Sequence, residues 1–160
     1  MNKAYLLTGG NTGNRQAYLL QAIELINQFC GQVLKQSSLF ETGAWGNTNQ
    51  ASFLNQALLI ATSLKPDELM VKLLFIEETM GRVRFEKFGP RIIDIDILLY
   101  NEEVFYSPLV SIPHAELANR RFALIPLIEI APRAKHPVLK KSIQQLLKEC
   151  SDELSVRKIS

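Results

Sequence analysis

The chain has 160 residues, with 18 Lys and Arg against 16 Asp and Glu for a formal charge of +2, and is 47% hydrophobic and 21% charged. That is the make-up of an ordinary globule large enough to bury a core without disulfide or metal staples, so one domain over 1–160 is expected. The charge is too small to argue for nucleic acid, Cys30 and Cys150 make no framework, and neither a signal peptide nor a membrane-length apolar run is present, so a cytoplasmic protein is expected.

Residues 4–8 read as a short strand that breaks at Gly9-Gly10-Asn11-Thr12-Gly13-Asn14. This glycine-rich turn matches neither the Walker A nor the G-x-G-x-x-G spacing, and a plain strand-to-helix turn is the better reading. Leu19, Ala22, Ile23, Ile26, Phe29 and Cys30 fall at helical spacing, so an amphipathic helix buries that stripe and ends at Gly31. A second strand is expected over 33–40. Residues 41–51 have no period and form a long loop, and such loops in compact domains are often functional. A strand over 53–62 follows. Pro66 at a first helical position, with Asp67 and Glu68 behind it, starts a second helix whose stripe is Leu69, Leu73, Ile76 and Met80.

A charged, aromatic loop over 82–88 leads into a strand over 92–100. Side chains alternate along a strand, which puts Ile93, Ile95, Ile97 and Leu99 on one face and Asp94, Asp96 and Leu98 on the other. Extended pieces over 104–112, a helical region over 113–130 broken at Pro126, and a last helix over 142–154 complete the chain. The order β-α-β-β-α-β suits a ferredoxin-like α+β fold: a mostly antiparallel sheet, helices on one face and the other free for a ligand.

Two carboxylates side by side on a strand repel each other and need water, arginine or a cation. A bare Asp-x-Asp is most often a solvated face, but Arg82, Arg84 and Arg91 cluster around this one. Hard oxygen ligands among guanidinium groups suit Mg²⁺ carrying a polyphosphate.

The run Gly89-Pro90-Arg91-Ile92-Ile93-Asp94-Ile95-Asp96-Ile97-Leu98 resembles the signature of the 6-hydroxymethyl-7,8-dihydropterin pyrophosphokinase family. The resemblance continues through Tyr5–Gly9, Phe53-Leu54-Asn55, Gly81-Arg82-Val83-Arg84, Ile112-Pro113-His114 and Asn119-Arg120-Arg121-Phe122, nearly the whole chain in order. It implies transfer of diphosphate from ATP to the hydroxymethyl group of a dihydropterin, with AMP leaving, in folate biosynthesis. It further implies two Mg²⁺ held by Asp94 and Asp96, with Arg82 and Arg91 joining them as catalytic groups. ATP contacts are implied for Glu77, Arg82, Arg84, Arg91, Leu98, Ser111, His114 and Arg120. The pterin would lie among Thr42, Gly43, Trp45, Phe53, Asn55 and Phe122, the two phenylalanines sandwiching its ring. The partners implied are these small molecules, with no nucleic acid or membrane, and a monomer. The chain departs from the family at Gly43-Ala44, where proline-rich sequence is usual, at Phe88, where Trp is common, and at Ala115. Trp45 offers a replacement cover.

The alternatives are an RNA-binding sheet, a regulatory ligand domain and an ADP-forming kinase. Paired aspartates on a central strand oppose the first, and Mg²⁺-dependent AMP release separates the family reading from all three.

Overall fold

A computed structural model describes residues 1–43, 51–83 and 89–160. Its spine is β1 (Asn2–Gly10), paired antiparallel with β4 (Phe53–Thr62) on one side and β5 (Asp94–Tyr100) on the other. The far edge of β4 is shared by β2 (Gln32–Gln36) and β3 (Phe40–Thr42). The expected single strand over 33–40 is thus two, and Ser37 explains the break. Its N–H donates to the Ala57 carbonyl at 2.9 Å while its hydroxyl oxygen accepts the Ala57 N–H at 2.9 Å, so a side chain takes the place of a strand partner. A separate hairpin pairs β6 (Phe105–Tyr106) with β7 (Ser111–Ile112).

Helix α1 spans Arg15–Phe29 and α2 spans Pro66–Thr79, the second starting at Pro66 as expected. The Asn14 side chain accepts the Ala17 N–H at 3.1 Å, and the Glu68 carboxylate accepts the Lys65 N–H at 2.8 Å ahead of Pro66. Leu19, Ala22, Ile23, Ile26, Leu69, Leu73 and Ile76 pack with Leu6, Leu54, Leu58, Ile60, Ile93, Ile95 and Ile97 in one core.

The opposite face is not free as expected. Helices α3 (Arg121–Ile130) and α4 (Ile143–Glu149) cover much of it, packing a second core against Leu7, Ala57, Leu59, Leu98 and Leu99. With helices on both sides, every residue of β4 except Ala61 is buried. A bulge decides the far end of β5. Leu6 faces Ile97 and Tyr5 faces Leu99, which leaves Leu98 as an extra residue. Leu98 and Leu99 therefore both enter the second core and Tyr100 the first, so Leu99 does not share the isoleucine face.

Pro126 does not break its helix. After a 3-10 turn at Leu117–Asn119, α3 runs through it, held by the buried Ala123, Leu124, Leu127 and Ile130 on both sides. The last helix is shorter than expected. It starts at Ser142, whose hydroxyl accepts the Gln145 N–H at 3.1 Å, and stops at Cys150. The remaining chain forms β8 (Val156–Lys158), which pairs with β3 and extends the sheet edge. Among the described residues, no helix is long and apolar enough to cross a membrane.

His136, buried in the turn before α4, gives the fold an acid-sensitive point. Its Nδ1 accepts the N–H groups of Val138 and Leu139 at 3.3 and 3.0 Å, and burial lowers its pKa below the ordinary 6.5. The unfolded chain therefore takes up the proton first, and stability falls as pH drops below about 6.5. His136→Asn keeps an acceptor but does not titrate. Its urea midpoint should fall less between pH 7.5 and pH 5.5 than that of the wild type. An equal fall in both proteins would remove His136 from this role.

Candidate active site

At the uncovered end of the sheet, Phe40, Asn55, Gly9 and Asp94 are successive cross-strand partners on β3, β4, β1 and β5. Two residues along, Ala57, Leu7 and Asp96 form the next row. The period of two brings both rows to the same face. There, Leu7, Gly9, Asn55, Asp94 and Asp96 floor a cavity of about 260 Å³, walled by Thr42, Gly43, Phe53, Arg91, His114, Arg120 and Phe122. Ten residues that the family resemblance singled out, scattered over 42–122, thus meet in one cavity.

The acidic pair is set among cations. Arg82 Nη1 donates to Asp94 Oδ1 and to Glu77 Oε1, both at 2.9 Å, and Arg91 Nε lies 3.6 Å from Asp94 Oδ2. Asp96 lies deep. Although 30% of its side chain opens to the cavity, the surrounding protein and then Asp94 push its carboxyl up to about 8. His114 sits above it, Nε2 4.0 Å from Asp96 Oδ2, while Nδ1 accepts the Glu116 N–H at 3.1 Å. Burial, then Arg120, lower the His114 pKa, so the neutral ring presents an Nε2–H donor toward the acid.

Phe53 and Phe122 supply the aromatic walls. The Arg91 guanidinium lies 4.9 Å from the Phe53 ring centre and that of Arg120 lies 5.6 Å from Phe122, so each ring carries a cation at its face. Asn55 Nδ2 donates to the Thr8 carbonyl at 3.3 Å. Its Oδ1 is buried with no hydrogen-bond partner among the described residues, as are Arg82 Nε and Arg91 Nε. Buried polar atoms are normally satisfied, and here they border a cavity that a polar ligand would fill. Thr42 lines the wall but spends its hydroxyl proton on the Ser155 carbonyl at 2.9 Å, so the chain beyond α4 buttresses the site.

Other expected residues stand behind the walls. Glu77 is no surface acid. It is buried, and its second oxygen accepts the Ile95 N–H at 2.8 Å, anchoring the acidic strand. Leu98 is core, its carbonyl accepting the His114 N–H at 3.0 Å, and Ser111 lies on β7. Arg82 reaches the site only through Asp94. Trp45, Arg84, Ala44 and Phe88 lie outside the described residues.

Leu7 and Gly9 join the cavity lining although no sequence motif gives them a site role, and the turn after β1 is more than a plain connection. A Cβ at Gly10 would lie 2.2 Å from the Ile92 carbonyl oxygen, so only glycine permits that close approach of backbones. Asn11 then ties distant segments together. Its N–H donates to the Arg91 carbonyl at 3.0 Å, its Oδ1 accepts the Arg91 N–H at 2.9 Å, and its Nδ2 donates to the Ala51 carbonyl at 3.1 Å. The glycine-rich turn thus braces the ends of both cavity walls.

The donor set fits Mg²⁺ of one kind. No group of three or more His, Cys, Asp or Glu among the described residues could enclose a metal, so the protein offers two carboxylates and no cage. Mg²⁺ is typically held so, by one or two carboxylates with substrate phosphates and water completing its shell.

If the aromatic walls hold a flat ring, Phe122→Ala should weaken pterin binding by about 1–3 kcal/mol while sparing ATP. Calorimetric titration of each ligand checks this. Equal loss of both with a lowered melting temperature would make Phe122 a core residue only.

A sequence model described as 7,8-dihydro-6-hydroxymethylpterin-pyrophosphokinase (HPPK) matches residues 5–132. A 2-amino-4-hydroxy-6-hydroxymethyldihydropteridine pyrophosphokinase of Aquifex aeolicus is 43% identical over 149 residues, 93% of this chain and 92% of the relative. The protein of that name from Bacillus subtilis is 42% identical over 135 residues, 84% of this chain and 81% of its own. Among solved structures, wild-type Plasmodium falciparum HPPK-DHPS superposes with a TM-score of 0.74 at 18% identity, covering 92% of this chain. This chain spans 44% of that longer one, and at such identity the likeness shows the fold alone.

Proposed function

The chain belongs to the 7,8-dihydro-6-hydroxymethylpterin-pyrophosphokinase family, and on that premise we propose which of its residues carry the family's reaction and how. The reaction moves diphosphate from ATP to 6-hydroxymethyl-7,8-dihydropterin in folate biosynthesis. The hydroxymethyl oxygen bonds to the β phosphorus and loses its proton to solvent, the bridge to the α phosphate breaks, and AMP leaves with that bridging oxygen.

The dihydropterin ring lies between Phe53 and Phe122, with the Asn55 amide at its edge and Thr42 and Gly43 beside it; the family pattern adds Trp45 to this set. The observation that carries this reading is one cavity holding an aromatic slot, an orphaned amide oxygen and an acid–arginine cluster side by side. The acceptor hydroxyl and the triphosphate are thereby held in line, which is how positioning accelerates a bimolecular transfer. Asp94 and Asp96 would hold Mg²⁺, two ions by the family pattern, which would supply neutralisation of phosphate charge and polarisation of the attacked phosphorus.

Arg91 and Arg120 face the cavity from the aromatic walls and meet phosphate oxygens. His114, neutral and tautomerically fixed, donates its Nε2–H to another. Arg82, which pairs with Asp94 and Glu77, is assigned to the phosphates as well, and the family pattern gives Arg84 the same role. Leu98 and Ser111 offer backbone to the adenine. For Glu77 a positioning role toward Arg82 and β5 is favoured over direct nucleotide contact, because both carboxylate oxygens are engaged inward. We assign the chain to the cytoplasm, acting as a single-domain monomer.

Nucleotide chromatography with ³¹P spectra, after incubation with ATP, Mg²⁺ and the dihydropterin, tests the reading. AMP and pterin diphosphate should appear in equal amounts. ADP with a pterin monophosphate would refute diphosphoryl transfer, and an unconsumed nucleotide would favour a binding domain.

A further inference from the structure

Gly9 is the bare position in the cavity floor. It sits on the central strand β1, directly between Asn55 of β4 and Asp94 of β5. A Cβ built there would lie 2.1 Å from Asn55 Nδ2, 3.1 Å from Asn55 Cγ and 3.3 Å from the Leu54 carbonyl oxygen. The residues of positive φ do not include Gly9, so the backbone itself would accept alanine and only the space forbids it. Glycine within a strand weakens it through chain entropy and lost packing. A bare position at the centre of this sheet therefore calls for a gain elsewhere.

That gain lies in the Asn55 side chain. Its amide lies across the β1 backbone, with Nδ2 on the Thr8 carbonyl and Oδ1 buried without a partner among the described residues. We propose that Gly9 is a positioning residue for substrate selection: its missing side chain lets the Asn55 amide lie flat on β1, with Oδ1 presented to the ring N–H donors of a 2-amino-4-hydroxypteridine. The inference rests on the pocket assignment above and goes beyond it. Asn55 touches the heterocycle, and Gly9 acts through Asn55. The bare backbone also keeps open the strip of floor between that amide and Asp94, which the substrate's hydroxymethyl arm must cross to reach the phosphates. A methyl at position 9 would lift the amide off the Thr8 carbonyl and into the slot, where its oxygen could not meet the ring edge in plane.

The test is a double-mutant cycle on the full chain with Gly9→Ala, Asn55→Ala and Gly9→Ala/Asn55→Ala. Calorimetry reads 6-hydroxymethylpterin and ATP separately, and melting curves accompany each protein. Each single variant should weaken pterin binding by about tenfold or more, the scale of one lost buried hydrogen bond. ATP affinity should stay within about twofold of wild type, and the double variant should bind pterin no worse than Asn55→Ala, since the clash has gone. If Gly9→Ala folds poorly, the double variant should regain the melting temperature of Asn55→Ala. Wild-type pterin affinity in Gly9→Ala, losses that multiply in the double variant, or a double variant that stays unfolded would each overturn the inference while leaving the pocket intact. Undiminished pterin affinity in Asn55→Ala would instead reject the pocket assignment, and the role of Gly9 with it.

Discussion

Asp94→Asn and Asp96→Asn should each cut turnover by roughly two orders of magnitude or more and leave the chain folded. Both carboxylates share one face of β5 at the cavity floor, where asparagine keeps the shape but loses the charge that would hold a divalent cation. Their effects on stability should differ. Asp94 is already balanced by Arg82 and Arg91, and losing its charge leaves Arg82 its second partner, Glu77. Melting of Asp94→Asn should therefore stay close to wild type. Asp96 is held where ionisation is unfavourable, beside Asp94 and away from bulk water, so Asp96→Asn should melt at the same temperature or higher. Steady-state AMP release, Mg²⁺ titration and melting curves separate these outcomes. Near-normal turnover in both variants would remove them from metal binding. A collapse in melting temperature would assign the pair to the fold instead.

Local signals in the sequence carried far at some places and failed at others for definable reasons. Pro66 with Asp67 and Glu68, the stripe from Leu69 to Met80 and the strand over 53–62 reappear in the fold because each is set by neighbouring residues. The two aspartates were legible for the same reason, since alternation alone puts them on one face. Leu99 leaves the face that alternation gives it because a bulge depends on how β5 registers with β1, which no local pattern records. Pro126 has the sequence mark of a helix breaker. The burial of α3 against the sheet outweighs the hydrogen bond it forgoes, and that burial is tertiary. The tail at Val156–Lys158 has little apolar alternation of its own and becomes a strand because β3 offers an open edge.

At the site, the family pattern gave the chemical groups but not what holds them. Asn11 acts through backbone groups at Ala51 and Arg91, and Gly9 acts through the side chain it lacks. Both are relations across long stretches of chain that a single sequence does not display. Glu77 is similar: it fits the family pattern, but its place on α2 alone is equally that of a surface acid, and only the packing of α2 on β5 buries it.

Arg82→Ala should have the other large effect, and it should strike stability and catalysis together. Arg82 follows Gly81, whose φ of +95° turns the chain out of α2 and back toward the acidic strand. Its Nη1 is shared between Glu77 and Asp94, and its Nε is buried without a partner among the described residues. Removing it takes a charged partner from the buried Glu77 carboxylate, and breaking such a pair costs about 3–5 kcal/mol where the remaining charge stays buried. Part of that returns if Glu77 takes up a proton, so the observed loss should fall in the lower half of this range. The catalytic loss has a different source. Charge moves toward the leaving oxygen only as the bridge to the α phosphate breaks, so a guanidinium meeting phosphate there lowers the barrier more than it tightens ATP. Turnover should drop by roughly two to three orders of magnitude with the KM for ATP changed less, as for loss of one oriented charge donor. Glu77→Gln separates the two roles, because it relaxes the same scaffold while leaving Arg82 in place. It should destabilise the protein and slow it far less than Arg82→Ala. Equal kinetic losses in the two variants would mean that Arg82 serves catalysis only by bracing β5, and unchanged kcat in Arg82→Ala would confine it to the fold.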